Sequence, residues 1–210
     1  MKLISLNVGR PREFSWSGKT VRTSIFKNPV DDSRKVSFLN IEGDEQSDLN
    51  VHGGINKAVY AYDFSHYEHW KNILQRNDWQ YGMFGENLTT SGLLDHEVRV
   101  GDIYQIGSTK LQVVQPRFPC FKLNIRFGLP NMIDRFMEEK RNGIYLKVHE
   151  EGVIRVNDEI TLIEQSPYDV MISDYVDCYY SKGSNKSILK NLLSIPYLPE
   201  RHRIIFEGYL

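Results

Sequence analysis

Residues 1–8 interleave apolar Leu3, Ile4, Leu6 and Val8 with polar Ser5 and Asn7, the alternation of a half-buried strand. Residues 12–16 and 20–25 flank Ser17-Gly18-Lys19, which predicts a hairpin. A further strand is expected over 57–62, followed by Asp63 as a helix cap and an aromatic-rich amphipathic stretch to about Leu74 that carries His66 and His69. Beyond Gly85-Glu86-Asn87 the pattern predicts a short loop or helix. Residues 102–106 and 110–115, joined by Gly107-Ser108, form a second hairpin running into Cys120. Residues 130–141 read as a helix opened by proline and stopped by Asn142-Gly143. Strand character returns over 143–150 and 159–164, around Glu151-Gly152 and Asn157-Asp158.

Past Pro167 the apolar spacing becomes helical over 168–178, 185–193 and 199–209. The chain therefore divides, on pattern, into a strand-rich domain over 1–165 and a three-helix extension over 166–210. Many short strands separated by turns favour a mainly β fold with α (α+β), a closed or nearly closed β-barrel, over a doubly wound parallel sheet. At 210 residues with 40% apolar and 25% charged side chains, the composition is that of an ordinary globular chain with one sizeable core. A net charge of −1 argues against a general nucleic-acid surface. No apolar run is long enough for a membrane span, and residues 1–10 lack the sections of a signal peptide, so a cytoplasmic protein is expected. With Cys120 and Cys178 alone, a disulfide is a weak expectation and an iron–sulfur cluster lacks ligands.

Chemistry concentrates in Gln115-Pro116-Arg117-Phe118-Pro119-Cys120-Phe121-Lys122-Leu123. Two prolines stiffen the segment, and Arg117 and Lys122 supply positive charge that favours a thiolate as soft metal ligand or nucleophile. The plain alternative is a small buried hydrophobe. Residues 48–59 contain His52-Gly53-Gly54 and Lys57, either an anion-binding nest of amides with a cation or a turn entering a strand. Phe84-Gly85-Glu86-Asn87-Leu88 offers a carboxylate and an amide, or a polar turn. Asp63, His66 and His69 share a helical face but lack the remainder of a zinc signature, and Cys178 reads as structural. No dinucleotide or triphosphate fingerprint is present. A cysteine hydrolase would need a base, and no histidine at a fixed spacing from Cys120 marks one.

Taken in order, Gly43-Asp44, His52-Gly53-Gly54, Phe84-Gly85-Glu86-Asn87-Leu88, Val100-Gly101-Asp102 and the Cys120 run resemble the MOSC family, domains similar to the C-terminal part of molybdenum-cofactor sulfurases. The likeness is greatest to the stand-alone bacterial YiiM-like branch, which also has counterparts of Gly143-Ile144-Tyr145 and Glu151-Gly152. Asn157-Asp158 departs from the Gly-Asp of relatives, a change confined to a turn. The resemblance implies a barrel-like fold holding molybdenum cofactor, with Cys120 as the protein ligand to the metal. It places His52, Gly53, Gly54, Lys57 and Asn87 in the cofactor pocket and makes Arg117 and Lys122 candidates for the cofactor phosphate. It further implies reduction of N-hydroxylated small molecules such as 6-hydroxylaminopurine, with His52 or a water delivering protons and a separate flavin or iron–sulfur protein supplying electrons. The alternative is a non-catalytic carrier of the cofactor or of sulfur. Pyridoxal phosphate is not expected, because the chain has no room for the sulfurase domain that binds it. A homodimer is among the assemblies left open.

Overall fold

The alternation of residues 1–8 becomes strand β1 (Lys2–Val8), which lies inside a large sheet rather than at its rim. The computed structural model describes residues 1–47 and 53–210. Next come the hairpin β2 (Arg12–Trp16) and β3 (Lys19–Thr23), short strands β4 (Asn28–Val30) and β5 (Arg34–Val36), and β6 (Val59–Asp63). Helix α1 (Phe64–Ile73) leads to β7 (Leu88–Ser91), then the hairpin β8 (Ile103–Ile106) and β9 (Thr109–Pro116). Helices α2 (Lys122–Phe127) and α3 (Met132–Glu139) precede β10 (Ile144–Glu150), β11 (Gly152–Ile154) and β12 (Ile160–Glu164). Helices α4 (Ile172–Tyr180), α5 (Lys186–Ser194) and α6 (Glu200–Glu207) complete the described elements.

Eight strands form one sheet in the order β12-β8-β9-β10-β6-β7-β1-β4, antiparallel throughout except that β6 and β7 run parallel. The expected closed or nearly closed barrel is corrected here: the sheet is open, with β12 and β4 as its edges. It does curl. Leu3 N donates to the Asp158 carbonyl at 3.0 Å and Ile160 N to that of Met1 at 3.0 Å, drawing the start of β1 toward the turn before β12. No ladder follows from these bonds, because the other end of β1 is taken by β4, a three-residue strand with Pro29 in its middle. A proline withholds the donor that another strand would need. The pairs β2–β3 and β5–β11 form separate two-stranded sheets.

The loop or helix expected after Asn87 is instead β7, a strand whose Thr89 and Thr90 are wholly buried. Their polarity hides the strand from a hydrophobicity reading. At Thr89 its cause is Glu86, also fully buried, whose Oε1 accepts from the Tyr67 hydroxyl, from Gly82 N at 2.7 Å and from the Thr89 hydroxyl at 2.9 Å. Oε2 accepts from Phe84 N at 3.1 Å. Burial pushes the Glu86 carboxyl upward, and these donors pull it back.

Two apolar clusters organise the rest. One joins the sheet to the C-terminal helices through Leu111, Val113, Tyr175, Leu189 and Phe206, among others. The other is aromatic and holds Tyr60, Tyr62, Trp70, Phe84, Phe127 and Phe136 beneath α1, α2 and α3. Val100-Gly101-Asp102 fastens the C-terminal segment: Asp102 Oδ1 accepts from Ser166 N at 2.8 Å, and a Cβ on Gly101 would stand 1.9 Å from the Tyr197 hydroxyl. Asp63 caps α1 as expected, accepting from Ser65 N at 2.9 Å. His66 meets Arg141 at 3.2 Å and His69 meets Glu139 at 2.6 Å, so both histidines tie α1 to the end of α3. Asn157 adopts φ +73°, a left-handed turn conformation that asparagine, like glycine, tolerates.

Candidate functional site

Strand β9 ends at Pro116 and α2 begins at Lys122, so residues 117–121 form a short strap between them. The strap is fixed first at Arg117. Its N–H donates to the Gly143 carbonyl at 3.2 Å, and its carbonyl accepts from Asn142 Nδ2 at 2.8 Å. Asn142 is itself held, its carbonyl accepting from the Tyr60 hydroxyl at 2.9 Å and its N–H donating to Asp95 Oδ2 at 2.9 Å. The same carboxylate oxygen takes Gly143 N at 3.1 Å. The Asn142-Gly143 pair, which reads in sequence as a helix stop, is therefore a two-sided clamp on the arginine backbone. Helix α3 has already ended, at Glu139.

Arg117 is 5% exposed, and its guanidinium lies 5.0 Å from the Phe136 ring centre and 5.6 Å from that of Tyr60. Both rings present π faces attractive to a cation. Among the described residues its Nη1 nevertheless has no hydrogen-bond partner. Leaving a buried charged donor unsatisfied costs on the order of 1–3 kcal/mol or more, which a ligand anion would recover.

Cys120 is a free, half-buried thiol and lines one pocket with Lys57, Tyr60, Asn87, Arg117, Lys122 and Tyr145. Five of the sequence-predicted site residues thus converge. Lys122 is 9% exposed at the first position of α2. Burial lowers the Lys57 pKa, Arg201 lowers it further and Cys120 opposes them, while Lys57 Nζ stands 5.9 Å from the Tyr145 ring centre. Burial raises the Tyr145 phenol, with Arg117 pulling the other way.

The other expected site residues fall differently. His52 lies outside the described residues, and Gly53 is half-buried beside them. Gly54 takes φ +90°, its N–H donates to Gln46 Oε1 at 3.3 Å, and Gln46 Nε2 returns to the Lys57 carbonyl at 3.1 Å. That amide is engaged with protein. Asn87 lines the pocket with its side chain fully employed: Oδ1 accepts from Tyr60 N at 3.1 Å, and Nδ2 donates to Asp44 Oδ2 at 3.0 Å and to the Asn7 carbonyl at 3.3 Å.

A buried ion pair was missed by the sequence reading. Lys27 Nζ donates to Asp44 Oδ1, which also accepts from Gly9 N at 2.8 Å, and both residues line the pocket. Lys27 carries no local signal, since its partner is 17 positions away, beyond β4 and β5. Cys178 is 2% exposed with burial raising its pKa, the structural thiol expected.

The C-terminal segment also reaches this region, through Arg201 and His202 at the start of α6. His202 is pushed down to about 4 by burial, then by the charges of Lys57 and Arg201. A histidine whose folded pKa is depressed binds fewer protons than its unfolded counterpart between about 4 and 6.5, so stability rises with pH across that window. Acidifying from neutrality to about pH 4 should remove up to roughly 3 kcal/mol through this residue. Urea unfolding at both pH values checks this: His202→Gln should flatten the pH dependence by that amount, and an unchanged slope refutes the assignment.

Among the described residues, no group of three His, Cys, Asp or Glu side chains could hold a bare metal ion. Among these residues a metal at Cys120 would find a single side-chain ligand, the thiol itself. The donor set suits a metal group that brings its own further ligands: one soft sulfur, a buried arginine nitrogen without a partner among the described residues, and two lysines for an anionic tail.

The MOSC domain family profile matches residues 48–161. The chain is 33% identical over 204 residues to the uncharacterised protein YflK of Bacillus subtilis, covering 97% of this chain and 92% of that one. It is 35% identical over 169 residues to a protein of Gibberella moniliformis named reductase, covering 79% of this chain and 30% of that protein. Its fold is similar to the crystal structure of YiiM from Geobacillus stearothermophilus, with a TM-score of 0.83, 31% identity and coverage of 100% of this chain and 98% of that one.

Proposed function

This chain belongs to the MOSC domain family, and from that membership together with the pocket at Cys120 we propose that it binds molybdenum cofactor and reduces N-hydroxylated small molecules, hydroxylamino bases such as 6-hydroxylaminopurine among them. The observation that carries the reading is the buried Arg117 nitrogen, without a partner among the described residues, in the same pocket as a free cysteine. Cys120 would hold the metal, and Arg117 with Lys122 the phosphate of the pterin. When bound, the cofactor would supply a centre that exchanges electron pairs and accepts oxygen. The chain's own part is to anchor and to orient. Tyr60 and Phe136 pack against the guanidinium, the Asn142-Gly143 clamp fixes the backbone beneath it, and Lys57 places positive charge near the thiol.

In the net reaction the N–O bond breaks, two electrons and two protons enter, and amine and water leave. His52 or a water delivers a proton in this reading. The electrons come from a separate flavin or iron–sulfur protein, since the chain has no cluster-binding set of cysteines and no dinucleotide fingerprint. The reductase name of the Gibberella relative supports this direction, although the chain spans only 30% of that protein. Among the described residues no helix is long and apolar enough to cross a membrane.

The test is turnover. Protein expressed in cells able to make the cofactor, supplied with a reduced viologen and a hydroxylamino base, should release many amines per molybdenum. Transfer of intact cofactor or sulfur to an acceptor, with no more than one amine per metal, would make it a carrier instead.

A further inference from the structure

Between Arg117 and Cys120 the strap has little backbone support. Pro119 has no N–H, and among the described residues neither the Phe118 nor the Cys120 amide makes a backbone hydrogen bond, while the Cys120 carbonyl accepts from Leu123 N at 2.9 Å. Phe118, two residues before the thiol, is instead held by rings from the C-terminal helices. Tyr179 lies across it at 4.1 Å between centroids and 33°, and His202 meets it edge-on at 5.4 Å and 89°. Tyr180 stands at 5.8 Å and 86° on another side. His202 is fixed in turn by a hydrogen bond between its Nδ1 and the Tyr175 hydroxyl.

We propose that Tyr179 and His202 are positioning residues that clasp the Phe118 ring and so hold Cys120 against the pocket. The strap is then gripped on two sides, by the Asn142-Gly143 clamp on the arginine and by the aromatic clasp nearer the thiol. Aromatic pairs in such offset and edge-on arrangements are attractive beyond the area they bury. Helices α4 and α6 would thereby determine where the sulfur sits, which gives the C-terminal segment a part in the site. The inference rests on Cys120 being the functional thiol, but its test needs no cofactor.

The two cysteines report separately, since Cys120 is on the strap and Cys178 is inside α4. The full chain without cofactor is treated with iodoacetamide at neutral pH, well below its unfolding temperature, and labelling at each cysteine is followed by peptide mass spectrometry. Tyr179→Ala and His202→Ala should each accelerate labelling of Cys120 by roughly tenfold, with Cys178 still protected. Tyr179→Phe, which keeps the ring, should label at the parent rate. In a Phe118→Ala background, Tyr179→Ala should add little, because the interaction it removes is already gone. An unchanged or slower Cys120 rate overturns the proposal. So does Cys178 rising in step with Cys120, which marks loosening of the helices as a whole, or full additivity with Phe118→Ala. Failure of molybdenum binding would leave these rates as informative as before, so the two readings stand or fall separately.

Discussion

Cys120→Ala protein, produced in cells that make molybdenum cofactor, should purify with at most a hundredth of the parent's molybdenum and release no amine from a hydroxylamino base. The size follows from comparison with weaker perturbations: removing a residue that merely supports a metal ligand costs about 10–100-fold in affinity or activity, and here the proposed ligand itself is lost. No described neighbour can replace it. Among the described residues no cluster of three metal-ligating side chains exists, and the other cysteine is buried within α4. The damage should stay local, because Cys120 is half-buried and the strap remains held at Arg117, so the thermal transition should move little. Cys178→Ala is the contrast, expected to lose stability while keeping its metal. Equal molybdenum in Cys120→Ala and parent would sink the ligand assignment and leave the pocket to be explained by its cations alone.

The second large effect is on folding. Gly143→Ala should destabilise the protein by about 2–5 kcal/mol, the sum of roughly 1–2 kcal/mol for a side chain in left-handed conformation and about 1–3 kcal/mol for overpacking. Gly143 has φ +67°, and a Cβ there would lie 2.7 Å from the Ala61 carbonyl oxygen, 2.7 Å from Tyr62 Cδ2 and 2.9 Å from Tyr60 Cε2. Backbone and central rings cannot give way cheaply. Beside it, Ile144 pairs with Ala61 in the sheet, and the Gly143 carbonyl accepts from Arg117, so any shift passes directly to the strap. Against a typical stability of about 5–15 kcal/mol, such a loss is a large fraction of the total. Urea denaturation measures it. A change below about 1 kcal/mol would mean that the sheet relaxes around the methyl group.

Much of the fold is visible in residue pattern, and the exceptions have identifiable causes. Hairpins β2–β3 and β8–β9 follow from short alternating runs around glycine turns, and α1 from its Asp63 cap. Strand β7 escapes because Thr89 answers to a buried carboxylate rather than to solvent or to apolar neighbours. Helix α2 escapes because it is six residues long and begins inside a run whose prolines and cysteine read as loop. Barrel closure could not be judged from pattern, since it depends on whether β1 meets β12 or β4, a matter of long-range register.

The site divides along the same line. Local runs carried Cys120, Arg117 and Lys122, which sit within six positions of one another and line one pocket. Lys27 became visible only when the chain brought it to Asp44. Asn87 was found for its motif, yet its amide splices Asp44, Tyr60 and Asn7 together, a task no motif announces. The part of α4 and α6 in this region was hidden in aromatic residues that look like ordinary core when read along a helix.

Glu86 has a consequence for how such a chain can diverge. Its carboxylate draws donors from α1, from the turn before it and from β7, and Thr89 also accepts from Asn7 of β1 at 3.1 Å. Replacing one member strands the others, and a buried charge left short of donors is costly, whereas exchanging the whole set for apolar groups of similar volume can be nearly neutral. Paths through single substitutions therefore cross a fitness valley here, and a chimera that imports β7 alone from a relative would inherit half of a contract written across four segments of chain.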